Sequence, residues 1–143
     1  PPFTEFVNAL MTAAPSADSR YWFPRRETMP AAEREAAIVA RLQQLTRYAW
    51  DSSPFYRRKW DAAGFHPDHL RSLEDFEAKV PVVTKRDLRE AQTRVPPFGD
   101  YLCVDPSEVH HIHGTSGTTG RPTAFAIDRP GYCSRIISRD GAA

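Results

Sequence analysis

Aliphatic bulk, glycine, cysteine and net charge are all in short supply in this chain of 143 residues. Leu, Ile, Val and Phe together number 28, which lies at the lower edge of ordinary globular composition, about a fifth of the chain. The expected core is therefore thin. Intrinsic disorder is excluded, because the net charge is only +1 and aromatic residues make up 11%, whereas disordered chains pair high charge with few aromatics. The 19 basic against 18 acidic residues leave no surplus to neutralise a phosphate backbone, so no nucleic-acid partner is expected. The longest uninterrupted apolar run, Ala36 to Ala40, is five residues, against about 20 for a bilayer-crossing helix. No membrane partner is expected. Val7 to Ala14 lacks a basic flank and is broken by Asn8 and Thr12, which argues against a secretory signal. Cys103 and Cys133 alone form no disulfide framework, and reduced thiols in a cytoplasmic protein are the simpler expectation. Pro1 stands where an initiator Met is expected, so the true start is expected to lie elsewhere.

What the chain does contain is ordered along its length. Residues 1–20 show neither helical nor strand period and read as a loose leader, with one domain-forming stretch over residues 21–143. Pro30 suits the first turn of a helix, and Ile38, Leu42, Leu45 and Ala49 recur at steps of four, three and four, one helix face. Ser53 before Pro54 stops that helix and caps the next, which Gly64 ends as a left-handed cap. Tyr56, Trp60 and Ala63 form its expected buried stripe. Ser72 with Asp75 and Thr84 with Asp87 mark two more helix starts, each a hydroxyl with an acid three residues on. Arg57, Arg58 and Lys59 read as a solvated helix face. Glu108 to His113 and Thr123 to Ile127 read as strands. The arrangement is a helical region followed by strand, Gly/Thr-rich loop and strand: α+β within these residues.

Three of the seven glycines fall between Gly114 and Gly120. Glycines three apart let backbone N–H groups turn inward into an anion-binding concavity. Thr115, Ser116, Thr118 and Thr119 add hydroxyl donors, and Arg121 adds a fixed positive charge with a forked donor array. Such a set suits phosphate oxygens. Neither a Walker A loop nor a dinucleotide fingerprint fits the spacing, and Pro122 opposes a helix starting directly after the loop. From composition alone, a plain hairpin connection remains open as an alternative.

The string Thr115-Ser116-Gly117-Thr118-Thr119-Gly120-Arg121-Pro122-Thr123 resembles the signature loop of the adenylate-forming (acyl/aryl-CoA synthetase) superfamily. Upstream, Ser53-Pro54-Phe55-Tyr56-Arg57, Ala63-Gly64, Ser72-Leu73-Glu74-Asp75-Phe76 and Thr84-Lys85-Arg86-Asp87-Leu88-Arg89 are similar to the N-terminal helical region of phenylacetate-CoA ligases. The resemblance covers about residues 30–127. It implies an α/β fold, in which this chain is the incomplete N-terminal portion of an AMP-binding domain. It also implies an ATP-dependent acid-thiol ligase, with Mg²⁺ accompanying ATP, coenzyme A as co-substrate and a carboxylic acid, aryl and phenylacetate-like, as the activated partner. Thr115, Ser116, Gly117, Thr118, Thr119, Gly120 and Arg121 would then bind ATP phosphates. The family's adenine-binding motifs, hinge and catalytic lysine lie far downstream of its loop, so no catalytic residue is assigned here. The alternative is a catalytically silent phosphate-binding or interaction module.

Other candidates are weaker. His113 abuts the loop and is a possible pocket-lining residue. His111 and His113 share a strand face that His110 cannot join, and His66 and His69 lie elsewhere, so no metal site is expected. Trp22, Trp50 and Trp60 read as core packing. Cys103 and Cys133 lack a neighbouring base and are not assigned as nucleophiles. Tyr132, Cys133, Ile136 and Ile137 have helical spacing after the turn-like Asp128-Arg129-Pro130-Gly131.

Overall fold

The computed structural model describes residues 18–21, 23–115 and 122–128. Among the described residues five α-helices precede one β-hairpin: α1 Pro24–Glu27, α2 Ala31–Ser52, α3 Pro54–Ala62, α4 Leu73–Lys79, α5 Lys85–Arg94, then β1 Val109–Gly114 and β2 Ala124–Asp128. The strands pair antiparallel. The expected leader lies almost wholly outside the described residues, as do Trp22, Cys133 and the helical spacing of residues 132–137.

Ala, Glu, Arg, Gln and Leu dominate α2, and it has no internal Gly or Pro, a composition with high helix propensity. Pro30 is its N-cap rather than its first helical residue. Ser53 and Pro54 end α2 as expected: Ser53 is extended and accepts from Tyr56 N, capping α3 with Pro54 at its first position. Gly64 follows α3 at φ +69°, the left-handed conformation that glycine adopts without strain. Ser72 accepts from Asp75 N at the start of α4, and Thr84 with Asp87 forms a reciprocal capping box on α5.

The core is small, as composition requires. Ala49, Trp60, Phe65 and Leu70 form its buried centre, with Leu42, Trp50, Tyr56, Phe76, Val80 and Cys103 packed against it. Trp60 meets Phe65 edge to face at 5.3 Å, and Trp50 stacks over Trp60 at 6.3 Å, geometries that favour aromatic pairs. Two expected stripes are corrected. On α2, Ile38 and Leu45 remain 43% and 42% exposed, whereas Leu42 and Ala49 of the same face pack into the core. On α3, Ala63 is exposed, whereas Phe55, which was not anticipated, is buried. Phe55 N donates to Asp100 O at 3.1 Å, so the segment after α5 covers that side of the helix.

The basic triplet is tied into the fold rather than simply solvated. Arg57 donates to Trp50 O and Asp51 O, satisfying carbonyls at the end of α2. Arg58 pairs with Asp100 at 2.5 Å, and Lys59 with Asp87 at 3.0 Å.

β1 starts one residue later than expected, since Glu108 belongs to a 3-10 turn, and β2 runs Ala124–Asp128 rather than from Thr123. His111 faces Ile127 and His113 faces Phe125, while the register shifts between Val109 and His111. His110 is thus the bulged residue.

Candidate functional site

The Gly/Thr-rich stretch lies between β1 and β2 in the sequence. Thr115 and Thr123 close its neck: Thr115 N donates to Thr123 O at 3.1 Å, and Thr123 N donates to Thr115 Oγ1 at 3.1 Å. Ser116, Gly117, Thr118, Thr119, Gly120 and Arg121 lie outside the described residues.

Behind the neck stands α5. Thr123 is fully buried, with 0% exposure, and its hydroxyl accepts from Arg89 Nε at 3.2 Å. One turn along the helix, Gln92 Nε2 donates to Ala124 O at 2.5 Å and to the Tyr101 hydroxyl at 2.9 Å. Tyr101 in turn donates to Ala124 O at 2.7 Å. Burial pushes the Tyr101 phenol up from its ordinary value, with Gln92 opposing, so the phenol keeps the proton it donates. Gly99 makes this approach possible at φ +82°: a Cβ there would meet the Ala91 backbone at 3.0 Å. Thr123 and Ala124, at the entry to β2, are therefore held by side chains 23 to 34 positions earlier in the chain.

His113 is exposed, and its ring lies 6.4 Å from that of His111 on the same face. Among the described residues no group of three or more His, Cys, Asp or Glu side chains could hold a metal. His66 and His69 serve the 3-10 turn at residues 67–69, where each ring accepts a backbone N–H, and His66 packs edge-on to Trp50 at 4.7 Å.

A cavity of about 480 Å³ opens between α2, α3 and the hairpin, lined largely by apolar side chains including Leu45, Ala49, Trp60, Phe76 and Ile127. Cys103 lines it too, and burial followed by the charge of Asp128 pushes its thiol up to about 11. A thiol raised in this way stays protonated at neutral pH, and the thiolate is the reactive form. Among the described residues no helix is long and apolar enough to cross a membrane.

Comparison with known proteins decides the family. The chain is 44% identical over 97 residues to the phenylacetate-coenzyme A ligase of Escherichia coli, an alignment covering 68% of this chain and 21% of that protein. It is 41% identical over 106 residues to the Thermus thermophilus phenylacetate-coenzyme A ligase, covering 74% of this chain and 22% of the relative. The described fold superposes on crystal structures of 2-hydroxyisobutyryl-CoA ligase with TM-scores of 0.76 and 0.77 at 68% and 72% sequence identity. The chain belongs to the phenylacetate-CoA ligase-like, adenylate-forming enzymes. It matches their N-terminal part, and its α-helices and antiparallel hairpin belong to their α/β architecture. The alignments span about a fifth of the curated relatives' length and 24% of the structural ones'. No protein-family model matches the chain. The 2-hydroxyisobutyryl-CoA ligase structures hold its acyl-adenylate, in some cases with CoA.

Proposed function

We propose that this acyl-CoA ligase family member works in a protein that activates a carboxylic acid with ATP and passes the acyl group to coenzyme A. A carboxylate is a poor electrophile. Its oxygen attacks the α-phosphorus, the bond to the β-phosphate oxygen breaks, and pyrophosphate leaves with that electron pair. The thiolate of CoA then attacks the acyl carbon, and AMP departs. The first step demands in-line placement of the nucleotide and donors for the developing charge on pyrophosphate.

In this reading Thr115, Ser116, Gly117, Thr118, Thr119, Gly120 and Arg121 bind the ATP phosphates, and Mg²⁺ arrives on the nucleotide. The observation that carries it is the closed neck, where Thr115 and Thr123 exchange two hydrogen bonds at the two ends of a donor-rich segment. His113, two residues from the neck, is assigned to the pocket rim. Residues 21–143 form the leading portion of the AMP-binding domain, which acts in the cytoplasm where ATP and CoA are available.

Two acids enter by the relatives' names. Identity of 68–72% to 2-hydroxyisobutyryl-CoA ligase against 41–44% to the phenylacetate enzymes favours a short branched 2-hydroxy acid over phenylacetate. The test is to supply the full-length protein with ATP, Mg²⁺, CoA and each acid, then to resolve AMP and acyl-CoA chromatographically. Equal amounts of AMP and 2-hydroxyisobutyryl-CoA are expected; ADP as the nucleotide product, or no thioester with either acid, counts against the reading.

A further inference from the structure

Thr123 sits at the exit of the loop, yet it is among the most deeply buried side chains described. Among the described residues two of its three ties are local, to Thr115. The third comes from Arg89 on α5, whose Nε donates to the Thr123 hydroxyl. A hairpin needs only its own ladder to close; a cationic side chain from a distant helix fixes something more, namely the position of the loop's exit relative to the helical region.

The guanidinium has a second feature. Its Nη2 is buried with no hydrogen-bond acceptor among the described residues, an unfavourable condition for a donor. A tie to Thr123 alone would be made as well by a side chain without that surplus donor. Arginine also keeps its charge at any working pH, so it places a fixed positive charge behind the neck of a loop assigned to phosphate. The neighbouring Arg86, by contrast, is 85% exposed and pairs with Glu90 on the outer face of the helix.

We propose that Arg89 is a positioning residue for the phosphate loop. Through Thr123 it fixes where the chain enters β2 relative to the helical region, and thereby supports ATP binding by the loop. The last step rests on the ATP reading above; the anchoring of Thr123 does not.

The test compares Arg89→Met, Arg89→Lys and Thr123→Val in the full-length protein, with Arg86→Ala as the control. Amide hydrogen exchange in peptides spanning residues 109–128 reads the anchoring without substrate. Loss of one charge-assisted hydrogen bond is expected to speed exchange there by about tenfold in R89M and T123V, with R89K intermediate and helices α2 to α4 unchanged. Unchanged exchange in that peptide overturns the proposal, and so does uniform loss of protection across the helices. Pyrophosphate exchange then reads the function: KM for ATP is expected to rise about tenfold in R89M, with KM for the acid unmoved, partial rescue by lysine, and R86A at wild-type values. A loosened hairpin with an unaltered KM for ATP also overturns it, while leaving the ATP reading intact. If the wild-type protein exchanges no pyrophosphate with any acid, the ATP reading fails, and the positioning proposal falls with it even where the hairpin loosens.

Discussion

Ser53 and Asp100 are joined across 47 positions, the serine hydroxyl donating to the aspartate's main-chain carbonyl at 3.0 Å. The same Ser53 oxygen caps α3 by accepting from Tyr56 N, and the same carbonyl also receives Phe55 N. One fully buried side chain thus starts a helix and ties it to the segment that leads into the hairpin. Ser53→Ala removes both functions and is expected to lower stability by about 1–2 kcal/mol, read as a drop in the urea midpoint of the full-length protein. An unchanged midpoint would remove Ser53 from the account.

Trp60 makes a sharper contrast. Its ring is 4% exposed against Phe65, while its Nε1 is buried with no acceptor among the described residues. Trp60→Ala is expected to cost about 3–5 kcal/mol. Trp60→Phe keeps ring contacts and removes the unmet donor, so it should be clearly the milder change in the same denaturation series. Equal losses in the two variants would contradict this.

How much of this was legible beforehand divides by distance along the chain. The caps at Ser53, Gly64, Ser72 and Thr84 were readable because each depends on a residue and its neighbours within three or four positions. The faces were not. Ile38 and Leu45 share the periodicity of Leu42 and Ala49, but whether they are covered depends on which elements pack there, and periodicity is silent about that. Phe55 is buried by Asp100 and Tyr101, partners with no local signature. The loop stood out through its glycines and hydroxyls, while the residues that hold its exit, Arg89, Gln92 and Tyr101, looked like ordinary helix and linker positions. Only a tertiary contact between α5 and the hairpin gives them their role.

Asp87 confers an acid-dependent stability. The Thr84 N–H, the Thr84 hydroxyl and Lys59 hold its carboxyl well below the ordinary 3.8. A carboxyl whose native value is depressed stabilises fully above its unfolded value, and that contribution is lost as pH falls through the native one. Asp87→Asn should therefore lower the urea midpoint at pH 7, with the gap to wild type narrowing below pH 3.8. A gap that stays constant with pH would contradict the assignment.

Cys103 runs the other way. With its thiol raised from 9.0 to about 11, it favours the fold below pH 9.0 and loses that contribution as pH rises through 11. In a Cys133→Ser background, Cys103 should react slowly with a thiol reagent at pH 8 in the folded protein and rapidly in urea. Fast labelling of the folded protein at pH 8 would contradict the raised thiol value.

The central claim is that the Thr115–Arg121 loop binds the phosphates of ATP in an acid-activating enzyme. Acid-dependent exchange of labelled pyrophosphate into ATP, measured on the full-length protein and on its Gly117→Val variant, tests it most directly. The account predicts exchange with 2-hydroxyisobutyrate in the wild type and its loss in the variant without loss of helical signal. Undiminished exchange in the variant, or none in the wild type with either acid, would contradict it.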